Sequence, residues 1–235
     1  MVPAGRPVSS DGRTDVARGP VRVGLTGNIG SGKSSVARLL RRHGAAIIDS
    51  DVLARRATED PVVLGRIARE LGPELVVRGE DGVPRMDRAR TAALVFRDAD
   101  ALATLNGIIH PWVRSRSAEL ERELADAPEP PPVIVFDIPL LYENGLEVGL
   151  DAVVVVTAPL EERLARVVDR AGPSDEVARV AARSDAEARD AAQMPLAEKA
   201  ARADFVVDNS GSVSDLEENT ARLWAELLAL SRAAR

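Results

Sequence analysis

Cysteine is absent from the 235 residues, and with it go disulfide frameworks, thiol nucleophiles and cysteine-based zinc sites. That absence suits a reducing cytosol. Aromatics are 3% of the chain, which leaves few platforms for base stacking, and the formal net charge is −6 rather than strongly positive. Nucleic acid is therefore not an expected partner. The two histidines, His43 and His110, lie far apart, so a paired-histidine metal site is not expected either. No apolar run approaches membrane-spanning length and the N-terminus has no signal-peptide core, so the chain reads as soluble and cytoplasmic. Residues 1–20, rich in Pro, Gly, Ser and Arg with no apolar period, read as a disordered extension. The remainder has ordinary globular composition, 45% hydrophobic and 29% charged, enough for one α/β core with a subdomain. A monomer is the expectation.

Against these absences stands one dense motif. Residues 27–34 read GNIGSGKS and fill every position of the phosphate-binding pattern G-x-x-x-x-G-K-[ST]. The context is right: 21–26 (VRVGLT) is an apolar strand candidate and 35–42 (SVARLLRR) has helical spacing. Glycines at 27, 30 and 32 let backbone N–H groups turn inward around a polyphosphate, and the helix N-terminus behind them favours negative charge. Lys33 would reach the β- and γ-phosphates, and Ser34 would hold Mg²⁺. The ligand implied is a nucleoside triphosphate.

Further strands are expected at 45–49, 133–136, 152–157 and 205–207, alternating with helical segments, which predicts a parallel sheet covered on both faces. Ligands in such sheets collect at the C-terminal strand ends. Those ends carry Thr26 with Gly27, Asp49, Asp137, Thr157, and Asp208 with Asn209. Residues 61–127 read as a mostly helical insertion, with a turn at 79–84, a helix capped by Asp87 and another opened by Pro111. The stretch 161–203 is helical and arginine-rich, broken at Gly172-Pro173 and at Pro195. A closing helix is predicted, capped by Ser214 with Glu217 and presenting Leu216, Leu223, Leu227 and Leu230 to the core.

Transfer of a phosphoryl group to an alcohol needs an acceptor for the hydroxyl proton, and Asp49-Ser50-Asp51 supplies carboxylates at a strand end. Asp51 is the candidate base, although either aspartate serves equally as a helix cap. Asp137 stands where a carboxylate orients Mg²⁺ directly or through water, or else is a strand-end turn residue. Among Arg166, Arg170, Arg183 and Arg189, one carried by a mobile helical hairpin would stabilise transition-state charge; each also fits a solvated helix face. His110-Pro111 marks a helix start or a substrate contact.

Taken in order, the segments GLTGNIGSGKSSVA (24–37), IIDSDVLAR (47–55), LVF (94–96), LNGIIHP (105–111), IPLLYENGLE (138–147), QMPLAEK (193–199) and ADFVVDNSG (203–211) resemble the dephospho-CoA kinases. The resemblance implies phosphorylation of the ribose 3′-hydroxyl of dephospho-CoA by ATP with Mg²⁺, the last step of coenzyme A synthesis. It implies a P-loop kinase fold: a nucleotide core over 21–60 and 128–235, a helical CoA-binding subdomain over 61–127, and a helical lid near 161–195. By position, Gly27, Asn28, Gly30, Ser31, Gly32, Lys33, Ser34, Ser35 and Asn209 fall on the ATP side. Asp49, His110, Pro139, Leu140, Leu141, Glu143 and Arg189 fall on the acceptor side, with Asp51 as base and Arg170 as lid arginine. The segment between Arg166 and Gln193 is longer than the family pattern, which leaves Arg183 as an alternative to Arg170. Rival readings are another small-molecule kinase of this fold, and a nucleotide-gated switch that transfers only to water. The later segments tell against the first; the missing guanine-reading Asn-Lys-x-Asp tells against a GTPase form of the second.

Overall fold

A computed structural model describes residues 19–233. Of the expected extension 1–20, only Gly19 and Pro20 fall within the described residues, and they carry no regular element. In chain order the elements are β1 (Val21–Thr26), α1 (Lys33–His43), β2 (Ala46–Asp49), α2 (Ser50–Ala57) and α3 (Pro61–Glu70). The short pair β3 (Val76–Arg78) and β4 (Pro84–Met86) follows, then α4 (Arg88–Arg97), α5 (Ala99–Ala125), β5 (Val133–Asp137) and β6 (Ala152–Thr157). The chain closes with α6 (Leu160–Ala171), α7 (Glu176–Ala191), α8 (Leu196–Arg202), β7 (Phe205–Asp208) and α9 (Val213–Ala233).

The five long strands form one parallel sheet in the order β2-β5-β1-β6-β7. The runs of the inner strands β5, β1 and β6 are buried on both faces because side chains alternate across the sheet and helices cover each side, whereas Val206 of the edge strand β7 is exposed. Val21, Val23, Leu25, Val133, Val135, Val154 and Val156 pack against α1 and α9. Ile134 and Phe136 point the other way, to α5; Val153 and Val155 meet residues of α8 and the segment after β5. Register brings Asp49 level with Asp137, and Thr157 level with Asp208, so the polar strand ends share one rim.

A second core, built on Ala57, Val63, Ile67, Leu75, Leu105 and Ile108, holds α2, α3 and α5 together. Three local expectations are corrected. Pro111 does not open a helix; it lies inside the continuous 27-residue α5. Leu105 and Ile108 anchor that helix in the second core, and the residue whose carbonyl the proline ring approaches is Gly107, where the backbone adapts most cheaply. The cap of α9 is Ser212 with Asp215, since the helix begins at Val213: Ser212 Oγ accepts from Asp215 N (3.2 Å) and Asp215 Oδ2 accepts from Ser212 N (2.7 Å). Leu230 stays 37% exposed in the last turns of that helix, whereas Leu216, Leu223 and Leu227 are buried. The expected turn at 79–84 joins β3 and β4 into an antiparallel hairpin.

Candidate active site

The glycine-rich loop runs from the end of β1 into α1, whose first turn carries no acidic residue. Gly32, at φ 92°, occupies the left-handed region, and a Cβ there would stand 2.0 Å from Asn209 Nδ2. Gly30, at φ 75°, has the backbone oxygen of Arg163 2.2 Å from where its Cβ would be. Only glycine fits both, because one conformation and one close approach must be satisfied together. The loop therefore keeps its backbone bare, as a phosphate cradle requires. Asn209 Nδ2 donates to the Ser31 carbonyl (2.7 Å), tying the end of β7 to the loop, and Arg166 donates to the Asn209 carbonyl at 2.7 Å.

Lys33 reaches across to Asp137 and pairs with it. Asp137 is 4% exposed, and burial pushes its carboxyl up; the Lys33 ammonium opposes that push, while Asp49 and Asp51 add to it. Asp49 and Asp51 thus act on Asp137 through their charge across a rim that holds one lysine, a place suited to further positive charge. The hydroxyl of Ser34 and the carboxylate of Asp137 are hard oxygen donors of the kind Mg²⁺ takes, and the described residues hold no cluster of three acidic or histidine ligands that would bind it without phosphate. The donor set fits an ion brought in with a nucleotide. The hydroxyl of Ser31, buried in the loop, has no hydrogen-bond partner, a further polar atom left for a ligand.

The two aspartates after β2 divide their roles. Asp49 is the cap of α2, its carboxylate accepting from Val52 N at 2.9 Å. Asp51, in the first turn, makes no hydrogen bond or ion pair among the described residues and is exposed. It opens on a cavity of about 300 Å³ walled by His110, Val113 and Arg114 of α5 and by Ile138, Pro139, Leu140 and Asn144 after β5. Four of the expected acceptor-side residues do not line this cavity: Asp49, which caps α2, Arg189, in the last turn of α7, and Leu141 and Glu143. Leu141 is fully buried under the sheet, against Gly24 and among Tyr142, Val153 and Val155. Glu143 turns away to Lys199, 2.7 Å from its Nζ, and accepts from Met194 N at 3.0 Å. The segment turns on itself after Leu140, so Pro139 and Leu140 face the cavity while the next residues pack inward. Partial burial pushes Glu143 up, but the Lys199 ammonium and the Met194 N–H outweigh it and hold the carboxyl below its ordinary value.

The arginine-rich hairpin of α6 and α7 is rooted on the phosphate loop by a residue that sequence reasoning missed. Arg163, 4% exposed, donates to the Ala158 carbonyl (3.1 Å) and the Ile29 carbonyl (3.2 Å) and pairs with Asp190. Asn28 Nδ2 donates to the same Asp190 (3.0 Å) and to the Met194 carbonyl (3.2 Å), while Gln193 Oε1 accepts from Ile29 N at 2.8 Å. Arg163 above all, with Asn28, holds the Asp190 carboxyl low against partial burial. Arg183 is engaged by Glu161 (2.8 Å) and Glu187 (2.9 Å), and Arg189 stands exposed 3.6 Å from Asp185. Arg170, in the last turn of α6, is exposed with no partner among the described residues. The available signal for Arg163 was its position beside Leu164 on the buried face of α6; for Lys199 there was none beyond its place in the QMPLAEK segment.

Comparisons with known proteins fall on both halves of this geometry. A family model described as dephospho-CoA kinase matches residues 21–215. A dephospho-CoA kinase of Deinococcus radiodurans is 48% identical over 198 residues, 84% of this chain and 88% of that one. One from Thermus thermophilus is 43% identical over 211 residues, 90% and 94% of the two chains. Among solved structures, a Thermus thermophilus protein at 43% identity superposes with a TM-score of 0.73, covering 89% of this chain and 99% of its own. A dephospho-CoA kinase from Campylobacter jejuni, at 22% identity and a TM-score of 0.56, shares the fold, with 87% of this chain and 96% of its own covered. Since one family model takes in the bare phosphate loop, the unpaired Asp51 and the cavity beside it, the chain belongs to the dephospho-CoA kinase family.

Proposed function

We propose that Asp51 is the base for transfer of the γ-phosphoryl group of ATP to the ribose 3′-hydroxyl of dephospho-CoA, giving coenzyme A and ADP. The hydroxyl proton passes to the Asp51 carboxylate as the ribose oxygen bonds to the γ-phosphorus, and the bond from that phosphorus to the β,γ-bridging oxygen breaks to release ADP. The observation that carries this reading is the unpaired state of Asp51 on a cavity beside the phosphate-loop rim. One strand separates β2 from β1, so their ends stand about 10 Å apart, room for a phosphoryl group between a held triphosphate and an acceptor hydroxyl.

The loop glycines with Asn28, Ser31, Ser34 and Ser35 hold the triphosphate, Lys33 meets its β- and γ-phosphates, and Asn209 lies toward the adenosine of ATP. Mg²⁺, held by Ser34 with Asp137, would neutralise charge between the phosphates. Residues 61–127 with His110, Pro139 and Leu140 take the acceptor, and the part of the α6–α7 hairpin beyond its Arg163–Asp190 root closes over the nucleotide, bringing Arg170 to the transferred group. The formal net charge of −6 supports small molecules rather than nucleic acid as partners, and the reading takes the protein to be a cytoplasmic monomer.

Asp51→Asn tests the assignment. It should lower kcat by roughly 10²–10⁴-fold, the usual size of a general-base contribution, with KM for ATP little changed. A loss below about tenfold would remove Asp51 from the chemistry. Thermal unfolding serves as control: because the cap of α2 is Asp49, the variant should melt near the wild type.

A further inference from the structure

Gln193, the first residue of the QMPLAEK segment, is held in place by the protein alone. Its backbone N–H donates to the Asp190 carbonyl (3.1 Å), and the next residue, Met194, donates its N–H to Glu143 (3.0 Å) and accepts at its carbonyl from Asn28 (3.2 Å). The side chain reaches the phosphate loop, where its Oε1 accepts from Ile29 N at 2.8 Å. A backbone N–H can only donate, so the atom facing it must be the carboxamide oxygen, and Nε2 is the free end. That amino group carries two N–H donors and has no hydrogen-bond partner among the described residues. A hold on Ile29 needs the oxygen alone.

Strand order tells which end of a triphosphate this donor meets. Asn209 follows β7 at one edge of the sheet and Asp51 follows β2 at the other, with β6, β1 and β5 between them. With adenosine toward Asn209 and the acceptor at Asp51, the phosphates run across the end of β1, and the γ-phosphoryl group is the one nearest β5 and β2. Gln193 and Met194 are held between Ile29, which follows β1, and Glu143, which follows β5. Gln193 therefore stands on the γ side of the loop. The Ile29 N–H is spent on the carboxamide oxygen, so the amino group is the donor that remains at this point of the loop.

We infer that Gln193 is a further catalytic residue, whose Nε2 donates to a non-bridging oxygen of the γ-phosphoryl group in bound ATP and through its transfer; this rests on the functional reading above. A neutral amide suits the place. A guanidinium set between Asp190 and Glu143 would be drawn into pairing with them, whereas an amide keeps its donors for the phosphate. Unlike an arginine on the outer part of the hairpin, Gln193 is in position before any closure, so the contact costs no reorganisation when charge shifts in the transition state.

Gln193→Glu separates this role from a mere hold on the loop, because the carboxylate keeps an oxygen for Ile29 N and puts a negative acceptor where the amino group was. Calorimetric titration with MgADP and with the magnesium complex of the β,γ-imido analogue of ATP needs no acceptor. The variant should bind the triphosphate analogue about tenfold or more weaker, as loss of a hydrogen bond to a charged group does, and MgADP within about twofold of wild type. Its kcat with dephospho-CoA should fall roughly 10²–10³-fold, the usual loss when one preorganised donor is removed. If the variant melts early, isotope-labelled wild type gives a second reading: the side-chain amide resonance of Gln193 should differ between the triphosphate-analogue and ADP complexes. In the folded variant, equal weakening of both nucleotides, or of neither, would overturn the inference, as would a kcat within about tenfold of wild type. An amide resonance identical in the two complexes would overturn it too. Wild-type protein that binds neither nucleotide would instead overturn the functional reading, and the inference with it.

Discussion

Asp49 and Asp51 are two residues apart and chemically identical, yet only one is spent on structure: Asp49 holds the first turn of α2, and Asp51 has no hydrogen-bond or ion-pair partner among the described residues. Spacing alone could not separate them, because each stands where a cap or a base fits; only the start of α2 at Ser50 decides. A similar division separates Arg163 from the other arginines of the hairpin, since it alone is buried and bound on several sides. Asp190→Asn leaves that guanidinium, 5% exposed, without its counter-charge, a loss of about 3–5 kcal/mol for a buried pair and nearer the lower figure here because Asp190 is closer to solvent. The pH dependence follows from the lowered Asp190 pKa. A carboxyl held below its unfolded value of about 3.9 contributes its stability above that pH and loses it as pH falls through the native value. Asp137, raised by burial, has the opposite sign, but it is present in both proteins and cancels in the comparison. Urea unfolding of wild type and Asp190→Asn should therefore show a gap that is full near neutrality and shrinks below about pH 4. A gap that stays constant into acid would show that the pair contributes nothing through its charge.

At the scale of elements, the α6–α7 hairpin is fastened at its base and plain at its tip. Arg163, Asp190 and Gln193 all converge on Asn28 and Ile29, so the base of the hairpin is fastened to the phosphate loop itself. The segment 161–195 is thus not uniformly free to move, and its mobile portion should begin beyond Arg163 and end before Asp190. Arg183 is already held by two glutamates, whereas Arg170 at the end of α6 has no partner among the described residues. Of alanine variants at Arg166, Arg170, Arg183 and Arg189, Arg170→Ala should lose on the order of 10²-fold in kcat, with Arg183→Ala and Arg189→Ala near wild type. Hydrogen exchange should show protection gained over residues 166–189 when a bisubstrate analogue binds. Uniformly mild effects with no added protection would leave the hairpin as ordinary surface. The sequence made the hairpin legible through Gly172-Pro173 and Pro195, but not its root, because a buried arginine reads like any other charge until its partners are placed.

Across the whole molecule, the sheet was legible because its strands are short apolar segments rich in Val and Ile that end in Asp or Thr, and the five polar ends do share a rim. What composition and periodicity hid were contacts set by tertiary packing: α5 running through Pro111, the inward turn of Leu141, and Glu143 taken by a lysine 56 positions further on that is wholly buried. That last pair joins the segment after β5 to α8, so the cavity wall at Pro139 and Leu140 and the base of the α6–α7 hairpin are linked through Glu143, Lys199 and Met194. The most direct test is ADP formation from MgATP by the purified protein with dephospho-CoA, AMP, adenosine or no acceptor. Dephospho-CoA should accelerate ADP release far above all three alternatives, with coenzyme A formed in equal amount. Release that is no faster with dephospho-CoA than without an acceptor would contradict the account.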